Sequence, residues 1–357
     1  MNAINADSPI MVTGASGYIA SWIVKYLLEA GHRVHGTVRD LKKPGLEHLH
    51  GMARDYPGRL ELFQADLLTP GSFHAAMYGC ELVMHTASPF IIRGFKDAHE
   101  ALVRPAVEGT QNVFKAVEGV PSVKRVVLTS SVAAIFGDNA DLQQIPGGVF
   151  TEADWNISSR LDHQPYSYSK TAAEREAWAL YERQPEPKRW ELVTINPGFV
   201  FGPSLAKSTV SNSIDTMKQF GDGTMKVGVP ALTVGIVDVR DVAQAHVQAG
   251  FSSDARGRYI VSAQEMSFLE MAAVLRSHFG SAYPFPRREL PKALVWLIGP
   301  LAAGIERGFV SRNVGYPLQL DNRRGRVELG LTYRPVEQTL VEHFQQMLDD
   351  KLVAVRP

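Results

Sequence analysis

The sequence predicts an α/β protein in which a doubly wound parallel sheet is followed by a smaller, mostly helical carboxyl-terminal lobe. Short apolar runs alternate with amphipathic stretches over roughly the first 200 residues, which is typical of a parallel sheet covered by helices. A glycine-containing turn joins the first apolar run to the first helix. After Pro203 the alternation loosens, which indicates a second structural unit.

The first strand, turn, helix and strand form one unit near the amino terminus. Residues 10–13 are an apolar run typical of a buried strand, residues 21–30 have helical spacing, and residues 32–38 are the next strand. Between them, Gly14 permits a tight turn, and Gly17 lets the backbone approach a pyrophosphate at the helix amino end. This context predicts a dinucleotide site.

The remaining elements continue the alternation. Further strands are predicted at residues 60–65, 81–86, 123–129, 192–195 and 235–239. Further helices are predicted at residues 69–77, 99–117, 166–175, 240–246, 267–279, 291–308 and 335–348. We therefore expect a nucleotide-binding domain at residues 1–203, to which residues 236–262 return, and a substrate lobe at residues 204–235 and 263–357.

Composition and charge disfavour several classes of protein. Lysine plus arginine equals aspartate plus glutamate, at 37 each, so net charge does not favour nucleic acid or an anionic membrane. One cysteine, Cys80, precludes an intramolecular disulfide, and the histidines lack metal-ligand spacing, so no metal is expected. The amino terminus does not resemble a secretory signal. Residues 293–303 are too short an apolar run to span a membrane and predict a buried or substrate-covering helix. We expect a cytoplasmic protein.

Tyr166 and Lys170 lie four positions apart, so on a helix both side chains share one face. The pKa of a phenol is ordinarily about 10. A neighbouring ammonium and the positive end of a helix dipole are expected to lower the pKa of Tyr166 toward neutrality. The tyrosine could then exchange a proton with a carbonyl or alcohol oxygen during hydride transfer.

The end of the second strand bears on which nicotinamide cofactor is bound. An acidic residue there would bind the ribose hydroxyl of NAD, whereas an arginine suits the 2′-phosphate of NADP. Arg39 comes first and Lys42 and Lys43 follow, although Asp40 lies between them. A guanidinium binds phosphate in a two-pronged geometry. We expect NADP(H) rather than NAD(H).

Together these motifs resemble the extended short-chain dehydrogenase/reductases, which have a Rossmann-type fold. The chain looks most like the group that contains dihydroflavonol 4-reductase, cinnamoyl-CoA reductase and microbial aldehyde and ketone reductases. The matching stretches are residues 12–19, 37–40, 127–131, 166–170, 238–243, 321–324 and 328–333.

The resemblance implies a role for each matching residue. The catalytic residues would be Ser131, which bonds the substrate oxygen, Tyr166, the proton donor, and Lys170, which lowers the pKa of Tyr166 and holds the nicotinamide ribose. The cofactor-binding residues would be Gly14, Ser16, Gly17, Tyr18, Ile19, Arg39, Lys42 or Lys43, Asp66, Leu67, Thr86, Ala87, Ser88, Thr129, Tyr166, Lys170, Pro197, Gly198 and Val200. The substrate would contact Phe90, Ser131, Phe136 and Tyr166.

Three residue assignments have an alternative interpretation. Ser130 rivals Ser131, because adjacent residues at a strand end point to opposite faces. Asn112 either belongs to a proton relay or is an ordinary helix residue. Asp238 and Asp241 are read as salt-bridge and capping residues rather than a catalytic pair.

The leading hypothesis is an NADPH-dependent carbonyl reductase, active as a monomer or homodimer on a small carbonyl or alcohol substrate. The alternatives are an NAD-dependent sugar-nucleotide epimerase or dehydratase, and a 3β-hydroxysteroid dehydrogenase-like enzyme. A redox-sensing protein that only binds the cofactor is the non-enzymatic alternative, but such a protein should lack the pair formed by Tyr166 and Lys170.

Overall fold

The structure is a computed structural model that describes residues 4–88, 97–207, 211–302 and 304–353. Its strands are β1 (Ile10–Thr13), β2 (Val34–Val38), β3 (Leu60–Gln64), β4 (Leu82–His85), β5 (Arg125–Thr129), β6 (Glu191–Pro197), β7 (Phe199–Phe201), β8 (Val229–Pro230), β9 (Thr233–Asp238), β10 (Gly257–Val261), β11 (Gln264–Ser267) and β12 (Glu289–Leu290).

The α-helices cover both faces of the main sheet and build most of the carboxyl-terminal part. They are α1 (Tyr18–Glu29), α2 (Glu47–Asp55), α3 (His74–Met77), α4 (Arg104–Gly119), α5 (Pro165–Glu182), α6 (Asn212–Gly221), α7 (Val239–Phe251), α8 (Phe268–Phe279), α9 (Lys292–Ala302), α10 (Arg307–Asn313), α11 (Arg323–Glu328) and α12 (Val336–Asp349). Shorter helical segments are a π-helix at His99–Val103 and 3₁₀ turns at Val132–Ala134 and Asn139–Gln144.

The main sheet has seven parallel strands in the order β10-β6-β5-β4-β1-β2-β3. This is a Rossmann-type doubly wound order, in which the strand sequence reverses between β1 and β4, and ligands of such sheets bind at that point. In β1, Ile10 and Val12 pack into one core while Met11 packs into the core on the opposite face. Because both faces of the main sheet are covered, the sequence of this strand is a continuous apolar run. The predicted fold class is confirmed.

Two smaller sheets were not predicted. One has the order β11-β9-β7, and the other pairs β12 with β8. Their strands have two to six residues, too few for a clear hydrophobic period. The strand expected at residues 235–239 corresponds to β9 and pairs with β7 and β11, whereas β10 joins the main sheet. The proposed domain boundaries remain a prediction.

Two predicted helices are interrupted. The helix expected at residues 99–117 begins as a π-helical turn and becomes α4, in which Pro105 occupies the first turn. Proline lacks the N–H group that a helix interior needs, so it is tolerated at that point. The helix expected at residues 291–308 is divided into α9 and α10.

The apolar run at residues 293–303 was predicted to be a buried or substrate-covering helix; the buried reading is wrong for the described part of α9, and the substrate-covering reading stays a prediction. Val295 is buried against Val310 and Val314, but Leu297 is 58% exposed and Leu301 is 94% exposed. Among the described residues of this helix, the exposed ones still contact α10 and the segment after it, because Trp296 lies against the Arg307 guanidinium and Lys292 donates to the carbonyl of Ser311. Among the described residues, we find no helix with the length and apolarity needed to cross a membrane.

Candidate active site

The main cavity lies at the carboxyl ends of β1, β4, β5 and β6 and has a volume of about 550 Å³; it is called the cleft below. The residues assigned from sequence that line it are Gly14, Gly17, Tyr18, Ile19, Thr86, Ser88, Thr129, Ser131, Phe136, Tyr166, Lys170, Pro197, Gly198 and Val200. The assigned residues outside its lining are Ser16, Arg39, Lys42, Lys43, Asp66, Leu67 and Ala87. Phe90 lies outside the described residues.

The glycine turn after β1 forms one wall of the cleft. Gly14 has a φ of +64°, a conformation that favours glycine, and a Cβ atom there would lie 3.2 Å from the Cα atom of Ala87. Gly17 is the N-cap of α1 and has no side chain to cap the first N–H groups of that helix. Uncapped N–H groups at a helix amino end favour an anion such as a pyrophosphate.

The ends of β1 and β4 are joined by a buried set of hydrogen bonds. The Thr13 hydroxyl oxygen accepts from the backbone N–H groups of Thr86 at 3.0 Å and Ala87 at 2.9 Å. Its own proton is then available for Nδ1 of His85, 3.0 Å away. Burial lowers the pKa of His85 to about 3, so its imidazole is neutral and can accept this bond. The bonds hold residues 86–88 at the cleft wall.

Arg39, Lys42 and Lys43 follow the end of β2 and are solvent-exposed. Asp40 shapes their loop, because its carboxylate accepts from the N–H group of Lys42 at 2.8 Å and its carbonyl accepts from that of Lys43 at 3.3 Å. The carboxylate therefore serves a local turn. The three cations are exposed to solvent outside the lining of the cleft.

The loop after β3 is also shaped by its own side chains. The Asp66 carboxylate accepts from the N–H group of Leu68 at 2.8 Å. The carbonyl of Leu67 accepts from the side-chain amide of Asn112 at 2.8 Å. Asn112 thus tethers α4 to this loop, which supports its reading as a structural residue. Leu67, with Ala87, Ser88 and Lys170, lines a smaller cavity of about 20 Å³ next to the cleft.

Tyr166 and Lys170 occupy the first turns of α5, as the sequence predicts, with Pro165 as the first helical residue. The Lys170 ammonium lies 5.6 Å from the centre of the Tyr166 ring and donates to the Ser88 hydroxyl at 2.8 Å. Burial raises the pKa of Tyr166 to about 12 and lowers the pKa of Lys170 to about 8. The expected lowering of the Tyr166 pKa is wrong for this structure, because the phenol is buried and burial disfavours the phenolate. The phenol is protonated at neutral pH, as a proton donor must be.

The two serines after β5 have different partners. The Ser130 hydroxyl donates to the buried carboxylate of Glu174. The Ser131 hydroxyl accepts from the N–H group of Ala133 at 3.1 Å, as the N-cap of the following 3₁₀ turn, and so retains its own proton for a ligand. This difference supports Ser131 as the residue that bonds a substrate oxygen.

Glu174 is a buried hub behind these serines. Its carboxylate accepts from the Arg258 guanidinium at 2.6 Å and from the Asn196 amide at 2.7 Å, in addition to Ser130. The same Asn196 amide donates to the carbonyl of Ser131 at 3.1 Å. Because the hub contacts α5, β6 and the end of β5, it fixes the serine relative to the helix that carries Tyr166. The sequence contained no local signal for this hub.

The far end of the cleft depends on a close approach of two chain segments. A Cβ atom at Gly198 would lie 2.5 Å from the carbonyl oxygen of Gly235, so only glycine fits there. Pro197 ends β6 and Val200 lies in β7, on either side of this contact. Phe136 stacks on Phe150 with ring centres 4.7 Å apart.

The two carboxylates that could suggest a catalytic pair serve the structure. Asp238 caps α7, pairs with Arg240 and accepts from Thr339. Asp241 pairs with Arg334. Within the described ranges, no group of three or more histidine, cysteine, aspartate or glutamate side chains is placed to hold a metal.

Comparison with known proteins agrees with this geometry. Residues 10–261 match the family described as the NAD dependent epimerase/dehydratase family. The chain belongs to this family. Its relatives include cinnamoyl-CoA reductase and the reductase Gre2, so the predicted resemblance to the extended short-chain dehydrogenase/reductases is confirmed.

Individual relatives cover most or nearly all of this chain. Cinnamoyl-CoA reductase CAD2 of Medicago truncatula is 34% identical over 359 residues, which cover 98% of this chain and 99% of that protein. Tetraketide alpha-pyrone reductase 1 of Arabidopsis thaliana is 38% identical over 291 residues, covering 79% of this chain and 84% of that protein. The yeast methylglyoxal/isovaleraldehyde reductase Gre2, solved in complex with NADPH, superposes with a TM-score of 0.79 at 25% identity, covering 97% of this chain and 100% of that chain.

Several cleft residues were not identified from the sequence. They include Asn139, Gln164, Leu232, Phe309, Asn313 and Leu318. Asn139 and Asn313 are 174 positions apart yet hydrogen-bond to each other, so no local pattern could join them. Of these residues, Gln164 is the one whose position in the sequence could have indicated a place near the site, because it directly precedes the proline at the start of the predicted helix.

Proposed function

We propose that this protein is an NADPH-dependent carbonyl reductase that converts an aldehyde or ketone to the alcohol. The observation that carries this proposal is the placement of Ser131, Tyr166 and Lys170 in one cleft with the glycine turn. The reductase relatives, which align over most of their length, support the same chemistry.

The residues present fit a dinucleotide cofactor. The helix amino end behind Gly17 would hold the pyrophosphate, and Lys170 would hold the nicotinamide ribose. Arg39, with Lys42 or Lys43, would bind the 2′-phosphate. NADPH, when bound, supplies the hydride.

The protein side chains would supply orientation and the proton. The Ser131 hydroxyl would donate to the carbonyl oxygen of the substrate and favour the negative charge that develops there. The protonated Tyr166 phenol would give its proton to that oxygen, which, together with a hydride received by the carbonyl carbon, makes the alcohol and leaves the tyrosine as a phenolate. The Lys170 ammonium, within the same cleft, would stabilise this phenolate.

The alternative epimerase, dehydratase and 3β-hydroxysteroid dehydrogenase activities are less well supported. Among the described cleft-lining residues, Lys170 is the one charged side chain, and the lining is otherwise neutral. A sugar nucleotide has a diphosphate that would need further cations or helix ends. NAD that remained bound through purification would favour these alternatives.

The direct test is oxidation of NADPH and NADH by the purified protein with aldehydes, aryl ketones, diketones and dihydroflavonols. We expect turnover with NADPH on at least one class and a lower kcat/KM with NADH. If no class is reduced with either cofactor, the proposal is wrong. The cytoplasmic location and the monomeric or homodimeric state remain predictions, which cell fractionation and sedimentation would test.

A further inference from the structure

Gln164 has an unusual backbone at the entrance to the helix that carries Tyr166. Its φ is 54° and its ψ is 56°, which is the left-handed region. Such a conformation is uncommon for a residue other than glycine and is strained. Among the described residues that are not glycine, Gln164 and Lys351 have a positive φ. Gln164 lines the cleft two positions before Tyr166.

The side-chain amide of Gln164 has a defined orientation. Its Nε2 group donates to the carbonyl of Gly137 at 2.6 Å and to the carboxylate of Asp138 at 2.6 Å. Both amide protons are therefore used by protein acceptors, which fixes the assignment of nitrogen and oxygen. Among the described residues, the Oε1 atom has only a long contact of 3.4 Å, from the hydroxyl of Ser167, another cleft residue. It therefore keeps the capacity to accept a hydrogen bond from a ligand.

Asp138 holds this amide rigidly, because it is itself buried and bound from several directions. Its carboxylate accepts from the Arg312 guanidinium at 2.5 Å and from the Asn313 amide at 2.6 Å, and it contacts the His163 ring at 2.8 Å. These partners come from α10 and from the segment before α5. An acceptor that is already oriented loses little entropy when a ligand binds.

We propose that Gln164 is a specificity-determining residue whose Oε1 atom accepts a hydrogen bond from a hydroxyl or N–H group of the substrate near the reacting carbonyl. The substrate class is thus a carbonyl compound that carries its own hydrogen-bond donor. This inference rests on the proposed reductase function. The lining also contains apolar side chains, among them Leu232, Phe309 and Leu318, which offer no competing acceptor.

The test compares pairs of carbonyl compounds that differ only in the donor: phenacyl alcohol, hydroxyacetone and 4-hydroxybenzaldehyde, each with its methyl ether. We expect the wild type to favour the hydroxyl member of at least one pair by about tenfold in kcat/KM, the value of one neutral hydrogen bond. Gln164→Gly removes the amide and relieves the backbone conformation. We expect it to abolish that preference.

Lys351→Gly is the matched control, because it relieves the other left-handed residue at a site that does not line the cleft. We expect it to retain the wild-type preference. Loss of activity on both members of every pair by an equal factor in Gln164→Gly would overturn the inference, since a structural role alone predicts that result. A wild type without preference in any pair would also overturn it. A wild type that reduces no carbonyl compound would instead overturn the proposed function, and the inference with it.

Discussion

Replacing Glu174 by glutamine should destabilise the protein and also lower its activity. The carboxylate is fully buried, and its partner Arg258 is 7% exposed at the side chain. Glutamine keeps the volume but removes the negative charge and presents an NH₂ group to a site whose neighbours are donors. The guanidinium is then buried without its counter-charge, which costs about 3–5 kcal/mol when one partner of a buried pair is removed.

The activity should fall for a separate geometric reason. The Asn196 amide bridges the Glu174 carboxylate and the carbonyl of Ser131. When the carboxylate is lost, the serine is held less firmly relative to Tyr166, and small displacements of a catalytic group reduce turnover. We therefore expect kcat to fall more than the affinity for NADPH.

Urea denaturation followed by circular dichroism would measure the free energy of unfolding of the Glu174→Gln variant. The control is Glu108→Gln, which removes a similar charge from the exposed pair with Arg104, whose side chains are 43% and 44% exposed. Exposed pairs contribute about 0–1 kcal/mol, so the control should resemble the wild type. If Glu174→Gln is no less stable than Glu108→Gln, the hub does not have the role assigned to it.

Two further predictions concern the cofactor and the pH dependence. Arg39→Ala should weaken NADPH binding by about 10- to 100-fold, the value of a charge-assisted contact, and leave NADH binding nearly unchanged; equal weakening of both in a titration would contradict the 2′-phosphate assignment. The lowered pKa of Lys170, about 8, means that its ammonium is present below that pH and is lost as the pH rises through it. The kcat/KM for reduction should therefore fall above about pH 8, and an unchanged rate up to pH 10 would contradict the role of the ammonium.

The main sheet could be predicted because its strands are short, apolar and regularly spaced along the chain. The strand expected at residues 60–65 is found at Leu60–Gln64, and the first strand has the predicted bounds Ile10–Thr13. Ends were less accurate, as for the strand expected at residues 32–38, which begins at Val34. Residues 32 and 33 belong to the turn between α1 and β2. The start of a strand is decided by backbone hydrogen bonds rather than by hydrophobicity, so the sequence pattern placed it too early.

The site was predictable where its residues are neighbours in sequence, as are the glycine turn and the pair formed by Tyr166 and Lys170. It was not predictable where it depends on contacts between distant segments. The bond between Glu174 and Arg258 joins residues 84 positions apart, and Asp138 contacts Arg312 across 174 positions. The pKa of Tyr166 also depends on burial by the assembled cleft, which a local pattern does not contain.

The most direct test of the reductase account is to measure NADPH-dependent carbonyl reduction by the wild type and by Tyr166→Phe, together with the NADPH affinity of each. Phenylalanine keeps the ring and removes the proton donor. We expect turnover to fall by about 10²- to 10⁴-fold, the usual contribution of a general acid, with NADPH affinity nearly unchanged. Turnover equal to that of the wild type would contradict the assignment of Tyr166 as the proton donor.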